Sequence, residues 1–244
     1  MTARVTFATA RRALEQLRRD RRTLALIAVV PPALMALLRY ILDLDRPGFQ
    51  RVAVPLVGMF PLIIMFLITS IAMLRERTSG TLERLMSLPL AKLDVIAGYG
   101  IAFALVAALQ TGVTSAVAFG LLDVTVHGSI ALVVVLAIAN ALLGVALGLF
   151  LSAFATSEFQ AVQFMPAVLL PQILVSGLFV PHERMPHALR IAADALPLPY
   201  AFDALTRVAT GAEGTRLVVD ACVVFGTIVV AIGLGATTLR RRTP

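Results

Sequence analysis

The sequence predicts an all-α polytopic membrane protein. It has six transmembrane helices, an N-terminal amphipathic interfacial helix, a short cytoplasmic helix between spans two and three, and a re-entrant or interfacial helix pair between spans five and six. Three observations carry this reading. Hydrophobic residues make up 59% of the 244 and charged residues only 14%, against about 45–50% and about 25% in soluble domains. The apolar residues fall in runs near the roughly 20 residues that cross a bilayer, separated by short polar islands. The arginines gather at a few places along the chain, as they do at membrane boundaries.

Taken in order, residues 1–23 place Phe7, Ala10, Leu14 and Leu17 at helical spacing, opposite Arg4, Arg11, Glu15, Arg18 and Arg22. That pattern predicts a basic amphipathic helix lying in the headgroup region, and it is the first of two units. The second, residues 24–244, holds six expected spans: Leu24–Leu42, Val52–Leu74, Val95–Leu122, Ile130–Phe154, Ala161–Val180 and Leu217–Leu239. Each supplies enough rise, at about 1.5 Å per residue, to cross roughly 30 Å of hydrocarbon. The basic start is longer than a signal peptide allows, so the first span is expected to remain.

Prolines interrupt three spans: Pro31 and Pro32, Pro55 and Pro61, Pro166 and Pro171. Each removes a backbone donor, so kinks are expected, with neighbouring helices covering the freed carbonyls. Between spans five and six, Met185, Leu189, Ala192 and Leu196 form one apolar stripe, and Leu198, Phe202, Leu205 and Val208 a second beyond the Pro197-Leu198-Pro199 break. Two short helices meeting at a proline can lie on the surface or dip inward if protein covers the break.

Orientation follows from the basic residues. One side receives Arg4 to Arg22, then Arg75, Arg77, Arg84 and Lys92, then Arg240 to Arg242; the other receives a sparser set. Both termini are therefore expected in the cytoplasm, with the chain multi-pass in the inner (plasma) membrane. The formal charge of +7 comes from these clusters, which lack interleaved aromatics. Nucleic acid is excluded as a partner, and membrane lipid is expected instead.

The most informative stretch runs from Arg75 to Leu90, between spans two and three. Gly80 can cap a helix that has Glu83 three residues later; Leu82, Leu85 and Met86 share one face, and Pro89 closes it. Such a helix can seat its apolar face in a groove of a soluble partner or pack on its own bundle. The run from Glu76 through Gly80-Thr81-Leu82-Glu83-Arg84-Leu85-Met86 and Pro89, followed by Gly98, resembles the signature of type-2 ATP-binding-cassette (ABC-2) export permeases. Ser176 to Pro181, Met185-Pro186 and Leu196-Pro197 before Tyr200 resemble that family's region between its last two spans. The resemblance implies a membrane subunit, a coupling helix at 79–90 docking on a separate ABC ATPase subunit, and a second permease subunit, identical or homologous. Under that resemblance ATP and magnesium belong to the partner ATPase, and this chain carries no cofactor.

The chain's own chemistry agrees that it is not an enzyme. A Walker-type phosphate loop needs a lysine after its glycines, and the sole lysine, Lys92, stands in Ala91-Lys92-Leu93-Asp94. His182 and His187 are five apart with Pro186 between them, a spacing that points them away from each other on a helix. Both are read as solvated outer residues. Catalytic and metal sites are thus expected to be none, and lone Cys222 in an apolar run builds neither disulfide nor metal site.

Inside the spans the costly groups are Gln110, Asn140, Gln163 and Gln172, with Thr111, Thr114 and Ser115. Amides in hydrocarbon must face other helices or a polar path. Asn140, Gly144 and Gly148 recur on one face of span four, where helix packing or the translocation path are the two uses. No charged residue falls near the middle of a span, which argues against an ion-coupled secondary transporter, and no nucleophile–base pair supports an intramembrane enzyme. The expected cargo is an amphipathic small molecule such as an antibiotic, because the spans are apolar and contain no tryptophan. Lipid or polysaccharide export remains the alternative.

Overall fold

The computed structural model describes residues 3–80, 92–212 and 214–238. Among them every regular element is a helix, with α1 Ala3–Arg19, α2 Arg21–Ile41, α3 Arg46–Thr78, α4 Lys92–Gly120, α5 Ile130–Leu151, α6 Glu158–Leu174, α7 His187–Asp194, α8 Pro197–Thr210 and α9 Thr215–Thr237. Five of these helices (α2, α3, α4, α5 and α9) are long and apolar enough to cross a membrane, which makes the chain a multi-pass membrane protein.

Helix starts are set by side-chain caps. Asp20 ends the amphipathic segment three residues earlier than expected, because its carboxylate accepts hydrogen bonds from the N–H and hydroxyl of Thr23 and so starts α2. Asp45 accepts from the N–H of Gly48, Ser129 from that of Leu132 and Ser157 from that of Gln160, at the heads of α3, α5 and α6. On α1 the buried face is made by Thr6, Thr9, Ala10 and Ala13, while Phe7, expected on the apolar stripe, is exposed. Small residues win that face because α1 lies against α4 at close range. A Cβ on Gly98 would sit 2.6 Å from the Thr9 side chain and 2.8 Å from the Thr6 carbonyl.

The long α3 and α5 form the centre. Leu62 and Phe66 of α3 and Ala139, Leu143 and Ala146 of α5 join Leu169 of α6, Leu198 and Ala201 of α8, and Val224 of α9 in one buried cluster. The expected fifth span departs most from the sequence reading. In place of a helix over Ala161–Val180, α6 stops at Leu174 after 17 residues, about 26 Å of rise. Pro171 has no N–H to donate, and the chain then turns through Gly177 at φ +95°.

Between α6 and α9 lie the two short helices α7 and α8. The amide of Gln172 covers the proline break, its Oε1 accepting from the Leu198 N–H at the head of α8. From there α8 passes from the buried centre to the end of the bundle, where the N–H groups of His127 and Gly128 donate to the carbonyls of Ala209 and Val208.

Candidate functional site

Three helices meet at Glu76, in the last turn of α3 and at the head of the 79–91 connection. Its carboxylate is buried and takes one guanidinium and one amide. Arg12 Nη2 donates to Oε2 at 2.7 Å and Gln16 Nε2 donates to Oε1 at 3.0 Å. Arg12 also donates to the Tyr99 hydroxyl of α4 and lies 6.0 Å from the centre of that ring. Three helices from distant parts of the chain are thereby joined through charge-assisted bonds, about twice as strong as neutral ones.

One residue earlier on α3, Arg75 forms a two-pronged ion pair with Glu158, the first residue of α6, at 2.7 and 3.0 Å. Ser79 and Gly80 then close α3, their N–H groups donating to the carbonyls of Arg75 and Arg77, with Gly80 at φ +71°. Gly80 thus ends α3 in the left-handed conformation common at helix C-termini. The rest of the expected docking helix, namely Thr81, Leu82, Glu83, Arg84, Leu85, Met86 and Pro89, lies outside the described residues. Glu76, the first residue of the run that resembles the family signature, is buried and bonded to Arg12 and Gln16 within the chain.

The amides separate into four situations. Asn140 donates to the Ala201 carbonyl of α8 at 3.4 Å. Gln172 donates to Val168 while accepting from Leu198, which ties α6 to α8. Gln110 is buried, yet neither amide atom has a hydrogen-bond partner among the described residues, and the same holds for the hydroxyls of Thr111 and Ser115, also on α4. Gln163 is exposed on α6, on the flank that also carries Phe159, Val162 and Leu170.

Gly144 and Gly148 lie where α5 crosses α3. A Cβ would stand 2.2 Å from the Leu62 carbonyl at the first and 2.7 Å from the Phe66 carbonyl at the second.

A polar site that the sequence reading missed sits between α7, α8 and α9. Buried Asp220 receives Arg207 Nε at 3.1 Å, and Asp203, His182 and Arg216 line the surrounding cavity of about 290 Å³. Asp220 stands at the fourth position of the expected last span, so a charge just inside a span end was the available signal. His182 faces Asp194 at 3.3 Å, and no group of three or more metal-ligating residues occurs among the described ones.

The sequence profile of the ABC-2 type transporter family matches residues 4–209, and the chain belongs to that family. Among curated relatives it is 30% identical over 144 residues to the probable multidrug ABC transporter permease YbhR of Escherichia coli K12, covering 59% of this chain and 39% of that protein. It is 28% identical over 138 residues to ABC transporter G family member 20 of Dictyostelium discoideum, covering 57% of this chain and 19% of that one. These alignments therefore span about two fifths and one fifth of the relatives' lengths.

Proposed function

We propose that this chain is the permease subunit of an ATP-driven exporter that moves amphipathic small molecules out of the cell. A separate ABC ATPase, which binds ATP and magnesium, powers it, and a second permease subunit completes the path. The observation that carries the reading is the Glu76 junction. A push on residues 79–91 reaches α3 directly and, through Arg12 and Tyr99, also α1 and α4, so an external motor acting on that connection moves several helices together. Gln110, Thr111 and Ser115, buried on α4 without hydrogen-bond partners among the described residues, suit a path for cargo with few polar groups. The uncovered face of Phe159, Val162, Gln163 and Leu170 suits a second permease, which would bury the Gln163 amide.

In this reading both termini and residues 75–94 lie in the cytoplasm, by the arginine asymmetry. Helix α6 with residues 175–180 makes the sixth crossing of the inner membrane, and α8 is the re-entrant arm. The match to a probable multidrug permease favours drug-like cargo over lipid or polysaccharide.

The test is Leu85→Asp, expressed with the candidate ATPase. A carboxylate forced into an apolar docking groove without a partner costs on the order of several kcal/mol, more than a neutral polar group would. The variant is expected to insert normally, to lose co-purification with the ATPase and to lose ATP-dependent export in vesicles. Parent-like co-purification and transport would remove the docking role from this segment.

A further inference from the structure

The bend between α1 and α2 presents four arginines, Arg18, Arg19, Arg21 and Arg22, all exposed and none in an ion pair among the described residues. The one carboxylate among them, Asp20, has both oxygens engaged by Thr23. Directly beside this cluster a groove of about 300 Å³ begins at Leu17 and Asp20 and runs along Leu26 of α2 and Ile64, Leu67, Ile68 and Ile71 of α3. Its walls are aliphatic, and its charged end lies at Arg75, which Glu158 already neutralises. Helix α2 is mostly uncovered in the chain, with 17% of its membrane-crossing window buried, so the groove opens sideways along the flank of a crossing helix.

We propose that this bend and groove seat an anionic phospholipid from the leaflet on the α1 side, its phosphate on the arginine cluster and one acyl chain between α2 and α3. Each half of the site supplies what the other cannot. Arginines clustered next to a crossing helix attract anionic headgroups, while an aliphatic groove open to hydrocarbon takes an alkyl chain. A free phosphate would leave the groove empty; a neutral lipid would leave the net charge of +3 on the cluster, four arginines less Asp20, unmatched. The lipid would bridge α1, α2 and α3 beside the Glu76 junction, and so hold the N-terminal helix against the element at the head of the 79–91 connection.

The test uses the full chain, delipidated in neutral detergent and titrated with dioleoyl phosphatidylglycerol or dioleoyl phosphatidylcholine, with bound lipid counted by native mass spectrometry. The parent is expected to bind the anionic lipid about tenfold more tightly than the neutral one, an advantage that shrinks as salt rises. Arg18→Gln with Arg19→Gln, which leaves Arg21 and Arg22 to hold the orientation, should remove most of that advantage. Leu26→Trp, at an exposed position on the groove wall, should weaken both lipids alike. Equal binding of the two lipids by the parent overturns the proposal, as does undiminished phosphatidylglycerol binding in the arginine variant. Competition by glycerol phosphate as strong as that by the lipid would overturn the acyl-chain half and leave only an anion site. None of these measurements involves an ATPase, so their failure leaves the exporter reading standing.

Discussion

The Glu76 carboxylate of α3 receives the Arg12 guanidinium of α1 at 2.7 Å across 64 positions of the chain. The pair is asymmetric: the Glu76 side chain is 10% exposed and the Arg12 side chain 34%. Glu76 therefore depends on Arg12 more than Arg12 depends on it. An arginine left alone can turn to water, whereas a carboxylate left alone in this pocket cannot.

That asymmetry predicts unequal single variants. Arg12→Ala strands a buried carboxylate and is expected to cost about 2–3 kcal/mol, toward the low end for a broken buried pair because Arg12 is partly solvated. Glu76→Gln keeps the contact with Gln16 and should cost about 1 kcal/mol. The double variant should lose less than the two singles together, since no lone charge remains buried. Thermal unfolding in detergent, with proteolytic release of α1 as a second readout, measures all three.

The crossing of α3 and α5 gives a steric prediction. Gly144→Ala puts a methyl 2.2 Å from the Leu62 carbonyl, and Gly148→Ala puts one 2.7 Å from that of Phe66. Both obstacles include backbone, so the helices must separate. Costs of about 1–3 kcal/mol are expected, larger at 144. Gly112→Ala, where nothing lies within 4 Å of the added carbon, should be neutral or slightly stabilising through helix propensity. Melting temperatures ordered 112, then 148, then 144 from highest to lowest would bear this out; an equal effect at all three positions would show that the crossing is not tight.

The long helices were legible because hydrocarbon imposes one simple demand, a sustained apolar run, and α2, α3, α4, α5 and α9 satisfy it within a few residues of the expected bounds. The Asn140-Gly144-Gly148 face was legible for a similar reason: three small or polar residues at a four-residue spacing can only share one side. Phe7 was misplaced because periodicity marks a stripe but not its depth, and the close approach of α1 to α4 at Gly98 admits threonine and alanine there rather than a ring. The Arg12–Glu76–Tyr99 junction was hidden for another reason. Arg12 reads equally well as one more topological arginine, and nothing local links it to a carboxylate 64 positions on. The early end of α6 shows that composition alone overestimates a span when a proline sits near its end.

The last prediction separates structure from transport at Gln110. Among the described residues both of its amide atoms are buried without a partner, a condition that costs roughly 1–3 kcal/mol for each unsatisfied group. A residue kept only for packing would do better as leucine, which fills a similar volume without polar atoms. Gln110→Leu is therefore expected to hold or raise the melting temperature of the purified protein. If Gln110 lines the path of an amphipathic cargo, the same change should lower ATP-dependent export several-fold at matched expression, because the cargo's polar group loses its hydrogen-bond partner within an apolar wall. Gln110→Asn, which shortens the side chain but keeps the amide, should recover part of the transport without the gain in stability. Export and melting temperature moving in opposite directions would place Gln110 in the path. A fall in both would instead mean that the amide holds the bundle together through a partner supplied by the assembled transporter.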